Sequence, residues 1–264
     1  MPDRQRGFGV AAGLDPDIAE ELARRIEALG YASIWSNDHP GASGLETASY
    51  FHEAASKLDV GVAVLALDRH DPDSIAAHAG DEGLDPGRLW VGIGAGFTTR
   101  PLQVVRDGLK TLRDVLPAPA RIAVAAMGPK MCALAGAEAD GVFLNWMTPA
   151  RAAWARERVR EGAQHSGRRE VPTIFGYVRV AVGEDASERL LKEEAFYREL
   201  HQGYTRHFEQ LGAAPGTVGI ATNDPALVPS LLEPYEEAID HVVVLALASA
   251  NVDALSAVAE AAAP

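Results

Sequence analysis

Asp38 and His39 stand next to each other and carry the strongest pair of polar groups in the chain. An imidazole titrates near neutrality and can give or take a proton during turnover, while a neighbouring carboxylate can hold a tautomer or touch a ring. The bland alternative is a loop capped by Asp38, and the pair alone leaves the two readings even. A second group is Gly92-Ile93-Gly94-Ala95-Gly96. A dinucleotide fingerprint needs its third glycine three residues after the second, opening a helix; Phe97 stands there and Arg100-Pro101 follows, so that spacing fails. Glycines at a strand end more simply let a flat ligand approach the backbone. The third group is Gly128-Pro129-Lys130. Proline in a helix's first turn leaves free amides, the helix N-terminus favours an anion, and Lys130 adds charge. That makes a phosphate seat or an ordinary helix start.

Other residue patterns support less. His201 and His207 lie six apart, on different faces of a helix, so no zinc pair is expected. His52, His165 and His241 read as surface or satisfied core residues. The sequence contains no His-Glu-x-x-His, Cys-x-x-Cys or Gly-x-Ser-x-Gly, which removes support for metal or serine hydrolases. No metal site is expected.

The elements that must position these groups are short apolar runs alternating with helical stretches. Strands are expected at 7–13, 31–36, 60–67, 89–93, 121–126, 141–145, 172–182 and 240–247. Helices are expected after Asp15-Pro16 and at 43–58, 73–79, 102–116, 129–139, 149–165, 187–211, 225–238 and 252–262. Residues 60–67 form a continuous β-branched run, as a strand buried on both faces requires. Eight strands alternating with helices predict a parallel α/β barrel, a single (β/α)8 TIM barrel over residues 1–264; a doubly wound open sheet is the runner-up. In a barrel, ligands bind where strands end and helices begin. That rule selects 36–40, 66–70, 94–97, 126–130 and Asn145-Trp146.

Bulk properties agree. The 264 residues are 47% hydrophobic and 6% aromatic, which predicts layers of small and branched aliphatics. A net charge of −13 argues against nucleic acid and anionic membranes as partners. The single cysteine, Cys132, fits a reducing cytoplasm. The N-terminus shows no apolar signal core, and the apolar runs at 60–67 and 242–250 are too short to span a bilayer. The chain is expected to be soluble and cytoplasmic.

Together these segments resemble the bacterial luciferase-like superfamily of flavin- or deazaflavin-dependent oxidoreductases. The resemblance rests on Ile34-Trp35-Ser36-Asn37-Asp38-His39, on the run 85–96, and on the run 122–142 with Met127-Gly128-Pro129-Lys130 at its centre. Within the superfamily the chain looks most like the coenzyme F420-dependent branch. The resemblance implies a hydride-transfer enzyme acting on a small-molecule substrate, with His39 at the hydride centre and Asp38 touching the deazaflavin. It implies a non-prolyl cis peptide within 63–66, so that Val64 and Ala66 back the ring, with Ala95 and Gly96 passing beside it. It implies that Met127, Gly128 and Lys130 seat the phosphate with Asn145 near, and that the protein is a homodimer.

The chain departs from the sugar-phosphate dehydrogenases of that branch. Phe97 replaces a glutamate, Gly13 replaces an acid on the first strand, and no tryptophan stands near Ser43. The connection from Phe97 to Arg121 is short, so a lid is expected from elsewhere, such as 202–216, if the site is covered. Two alternatives stand beside F420 chemistry: an FMN-dependent luciferase-like monooxygenase, and a cofactor-binding barrel that no longer catalyses.

Overall fold

The computed structural model describes residues 5–264. Eight parallel strands close on themselves: β1 (Gln5–Ala11), β2 (Ser33–Asn37), β3 (Asp59–Ala66), β4 (Leu89–Gly94), β5 (Arg121–Ala126), β6 (Gly141–Leu144), β7 (Thr173–Val182) and β9 (His241–Ala246). Each pairs with the next, and β7 pairs with β9, which pairs with β1. The expected TIM barrel is what forms. The helices between strands are α1 (Pro16–Ala28), α2 (Gly44–Ala54), α3 (Pro72–Asp81), α4 (Pro101–Val115), α5 (Pro129–Glu138) and α6 (Pro149–His165). Five of these six open with proline in their first turn. Its fixed φ suits that position and its missing N–H loses nothing there. Residues Met1–Arg4, part of the segment read as lacking a signal core, lie outside the described residues. No helix among the described residues is long and apolar enough to cross a membrane.

Packing sorts by side-chain size. Aliphatics such as Val60, Val62, Val91, Ile122 and Val142 fill the layer between strands and helices. That is the expected layer of small and branched aliphatics; inside the barrel the scarce aromatics gather instead: Trp35, Trp90, Phe143, Phe175 and Tyr177. Trp35 meets Phe143 and Phe175 edge-on, with centroids 4.9 and 5.1 Å apart, a favoured aromatic geometry.

Three features differ from the sequence expectation. The first strand starts and ends two residues earlier than 7–13. The helical region 187–211 is two helices, α7 (Ala186–Leu200) and α8 (Gln202–Leu211), broken at His201, whose extended backbone ends one and whose Nδ1 caps the other. A short strand, β8 (Ile220–Thr222), pairs with the last residues of β7 outside the barrel. A single 3-10 turn (Pro225–Leu227) then leads into α9 (Val228–Ala238), and α10 (Val252–Ala261) closes the chain.

Candidate active site

The loop after β2 is built around Asp38. Its side chain is 2% exposed. Oδ1 accepts from the Gly44 N–H at 3.0 Å, at the start of α2, while Oδ2 accepts from Arg69 Nη2 at 2.7 Å and His70 Nε2 at 3.0 Å. Arg69 and His70 follow β3, so one carboxylate ties two strand ends together. His39, next in sequence, is exposed. The Gly41 N–H donates to Nδ1 at 3.1 Å, so that nitrogen must carry the lone pair. The proton of the neutral ring therefore sits on Nε2, which donates to the Ala12 carbonyl at 3.2 Å.

The ends of β3 and β4 form the next wall. The Ala63–Val64 peptide is cis, within the stretch where the family resemblance puts one. The β3–β4 register shifts between Val62 and Leu65. The glycines of β4 accommodate this backbone rather than leaving a gap for a ligand. A Cβ on Gly92 would lie 2.5 Å from the Val62 carbonyl oxygen, and one on Gly94 3.0 Å from a Val64 methyl. Gly96 has φ +65°, and a Cβ there would lie 1.8 Å from Asp68 Oδ1. Asp68 Oδ2 also accepts from the Phe97 N–H at 2.8 Å. Val64, Ala66 and Ala95 remain half-buried and Gly96 exposed, so this wall faces outward at its rim.

Gly128 caps α5 without a side-chain bond. A Cβ on Gly128 would meet nothing within 4 Å, and Lys130 is exposed. The space over Gly128 at the start of the helix is thus open, with a cation two residues on, and a helix start favours an anion. Arg151 from α6, which sequence reasoning did not single out, stacks 3.7 Å above Trp154 and reaches toward the Met127 carbonyl.

The other side of the mouth is roofed. Asn145 Oδ1 accepts from Arg179 Nη1 at 2.7 Å. The Arg179 guanidinium lies 3.5 Å from the centre of Trp146 and 5.1 Å from that of Tyr197. Trp146 has φ +51°, a conformation that bulky residues adopt only under constraint. His207 Nε2 bonds the Trp146 carbonyl at 2.6 Å, and Trp146 packs against Tyr197 and Phe208. The segment 202–216, named as a possible lid, forms α8 and packs with α7 against Trp146. Phe97 stacks on His201, centroids 4.6 Å apart, and joins the β4 loop to the break between these helices.

Asp38, His39, Val64, Ala66, Ala95, Gly96, Met127, Gly128, Lys130 and Asn145 thus all lie at strand ends on one face of the barrel. Arg179 was missed, although it is the only charged residue in β7. It stands in step with Phe175 and Tyr177, a period-two signal pointing into the barrel.

The family model described as luciferase-like monooxygenase matches residues 1–105 and 100–227. A sequence search of curated proteins found no match. Among solved structures, the fold resembles an F420-dependent secondary alcohol dehydrogenase bound to an F420-acetone adduct (TM-score 0.75, 17% identity, 97% of this chain and 99% of that one). It also resembles the coenzyme F420-dependent tetrahydromethanopterin reductase of Methanopyrus kandleri (TM-score 0.75, 16% identity, 97% of each chain). A monooxygenase from Streptomyces bottropensis is similar as well (TM-score 0.69, 17% identity, 97% and 98%).

Proposed function

Since the chain belongs to the luciferase-like monooxygenase family, we propose that it is an oxidoreductase using coenzyme F420 to move a hydride to or from a small organic substrate. The observation that carries this reading is His39, exposed at the mouth with its one N–H held on Nε2. When bound, the deazaflavin supplies or accepts the hydride at its ring. Met127, Gly128 and Lys130 hold its phosphate, in the space that Gly128 leaves open. Val64, Ala66, Ala95 and Gly96 border the ring, and Asn145 closes the far side. His39 Nε2 carries the proton that a substrate oxygen needs as negative charge develops on it, and the Ala12 carbonyl orients that proton beforehand. Asp38 serves through its neighbour, since Gly44, Arg69 and His70 occupy its carboxylate.

A titration with F420, followed by absorbance and melting temperature, tests this. Saturable binding and a concentration-dependent rise in melting temperature are expected. His39→Ala should leave affinity nearly unchanged while turnover falls at least about 100-fold. Absence of F420 binding would overturn the proposal, and unchanged turnover in His39→Ala would remove His39 from it. An FMN-dependent monooxygenase is the second reading. The roof over Trp146 and Arg179 favours it, because oxygen chemistry needs water kept out. FMN binding tighter than F420 would select it. A cytoplasmic homodimer goes with either reading; exposed Phe196 and Leu200, one turn apart on α7, offer an apolar face for the contact.

A further inference from the structure

Arg179 is 1% exposed, and no carboxylate among the described residues pairs with it within salt-bridge distance. Its Nη1 is spent on Asn145, while Nε and Nη2 are buried with no hydrogen-bond partner. These two atoms form one edge of the guanidinium, the edge that presents two parallel N–H groups to a carboxylate. Two more buried polar atoms nearby lack partners: Trp146 Nε1, on the ring stacked against the guanidinium, and Tyr177 Oη, two residues earlier on the same inward face of β7. The guanidinium edge and the indole can only donate, and the phenol can donate as well.

The surrounding groups do not supply the missing charge. Burial pushes the Tyr177 hydroxyl far above its ordinary range and that of Tyr204 up to about 12. Both are neutral phenols at physiological pH. The Tyr197 side chain, whose ring centre lies 5.1 Å from the guanidinium, acts on Arg179 through space and through its hydroxyl but brings no carboxylate; Glu193 acts through space only, and Glu194 is held by Arg198 and by the Gly216 and Val218 amides. A buried cation whose neighbours are an amide oxygen and neutral phenols, with two N–H groups lacking a well-placed acceptor, is costly unless an acceptor of opposite charge arrives.

We propose that the Nε–Nη2 edge of Arg179, with Trp146 Nε1 and Tyr177 Oη, is the binding seat for a carboxylate on the substrate. The substrate is then an organic acid whose flat or apolar body lies among Trp146, Tyr197 and Phe143. It enters beneath α7 and α8, and its carboxylate replaces the counter-charge that the fold leaves out. This assignment rests on the reading of the barrel mouth as the active site, but it does not depend on which cofactor binds there.

Benzoate and its neutral isostere benzamide are the probes. Each is titrated into the cofactor-free protein by calorimetry, with tryptophan fluorescence reporting on Trp146. Benzoate should bind at least about 10-fold more tightly than benzamide, as a charge-assisted bidentate contact requires. Arg179→Met should abolish that preference, and Arg179→Lys, which keeps the charge and loses the fork, should weaken benzoate by about 10-fold. If a variant fails to fold, the Arg179 Nε–H resonance of the wild type decides: it should shift on adding benzoate and stay still with benzamide. Equal affinity for the two probes, or full benzoate binding by Arg179→Met, overturns the proposal. So does a loss of F420 or FMN affinity in Arg179→Met when the wild type shows no benzoate preference, because the edge then belongs to the cofactor. Benzoate preference without F420 binding upholds the seat and refutes only the F420 reading.

Discussion

His39 and Asp38 are neighbours in sequence with opposite circumstances. One ring is exposed; the other side chain is buried and accepts from three donors. Replacing Asp38 with Ala strands Arg69, His70 and the Gly44 N–H together. Breaking a buried pair costs several kcal/mol, but Arg69 and His70 are each 32% exposed and can turn to water. Asp38→Ala should therefore lower stability by about 2 kcal/mol by urea denaturation. The variant should also lose activity more than cofactor affinity, because His39 loses its support. An unchanged unfolding midpoint would show that the carboxylate does not hold the two loops. The sequence exposes this pair as a motif, yet the role of Asp38 is hidden because its partners stand 31 and 32 residues further on. Arg179 was hidden differently, as a single charge inside an apolar strand.

Alternation of strand and helix is legible in the sequence because each strand is short and apolar and prolines mark most helix starts. The glycines of β4 show where such reading stops. They suggest room for a ligand, whereas the space beside Gly92 and Gly94 is taken by Val62 and Val64, contacts that depend on an irregular neighbouring strand. Gly96→Ala would combine a left-handed backbone with loss of the Asp68 bond to the Phe97 N–H, costing about 2 kcal/mol. Urea unfolding of this variant alone and together with Asp68→Ala is the check. The second change should relieve part of the first, and strict additivity would contradict the described contact. The break at His201 was also hard to read, since its only mark is Gly203, two residues on, and no proline interrupts the helix pattern.

At the scale of the whole molecule, the end of the barrel opposite the proposed site carries a group that sets stability. His241 opens β9 at that opposite end, buried beside Ser33, whose Oγ bridges Trp35 Nε1 and His241 Nε2. Burial pushes its pKa from 6.5 down to about 4. The unfolded chain therefore binds this proton more readily than the folded one. Stability is fully present above about pH 6.5, declines as pH falls, and by pH 4 this group alone has removed about 3 kcal/mol. Burial lowers the pKa of His207 beneath α8 as well, with the same sign. Denaturation midpoints between pH 7 and 4 should fall steeply for the wild type and less so for His241→Gln. Parallel curves would assign the acid sensitivity elsewhere.

The central claim is that a deazaflavin occupies the mouth beside His39. A crystal structure of the protein soaked with F420 tests it most directly. Density for the ring is expected over the ends of β3 and β4, its reacting edge facing His39 and its phosphate at Gly128 and Lys130. A ring bound away from His39, or a phosphate held elsewhere, would contradict it.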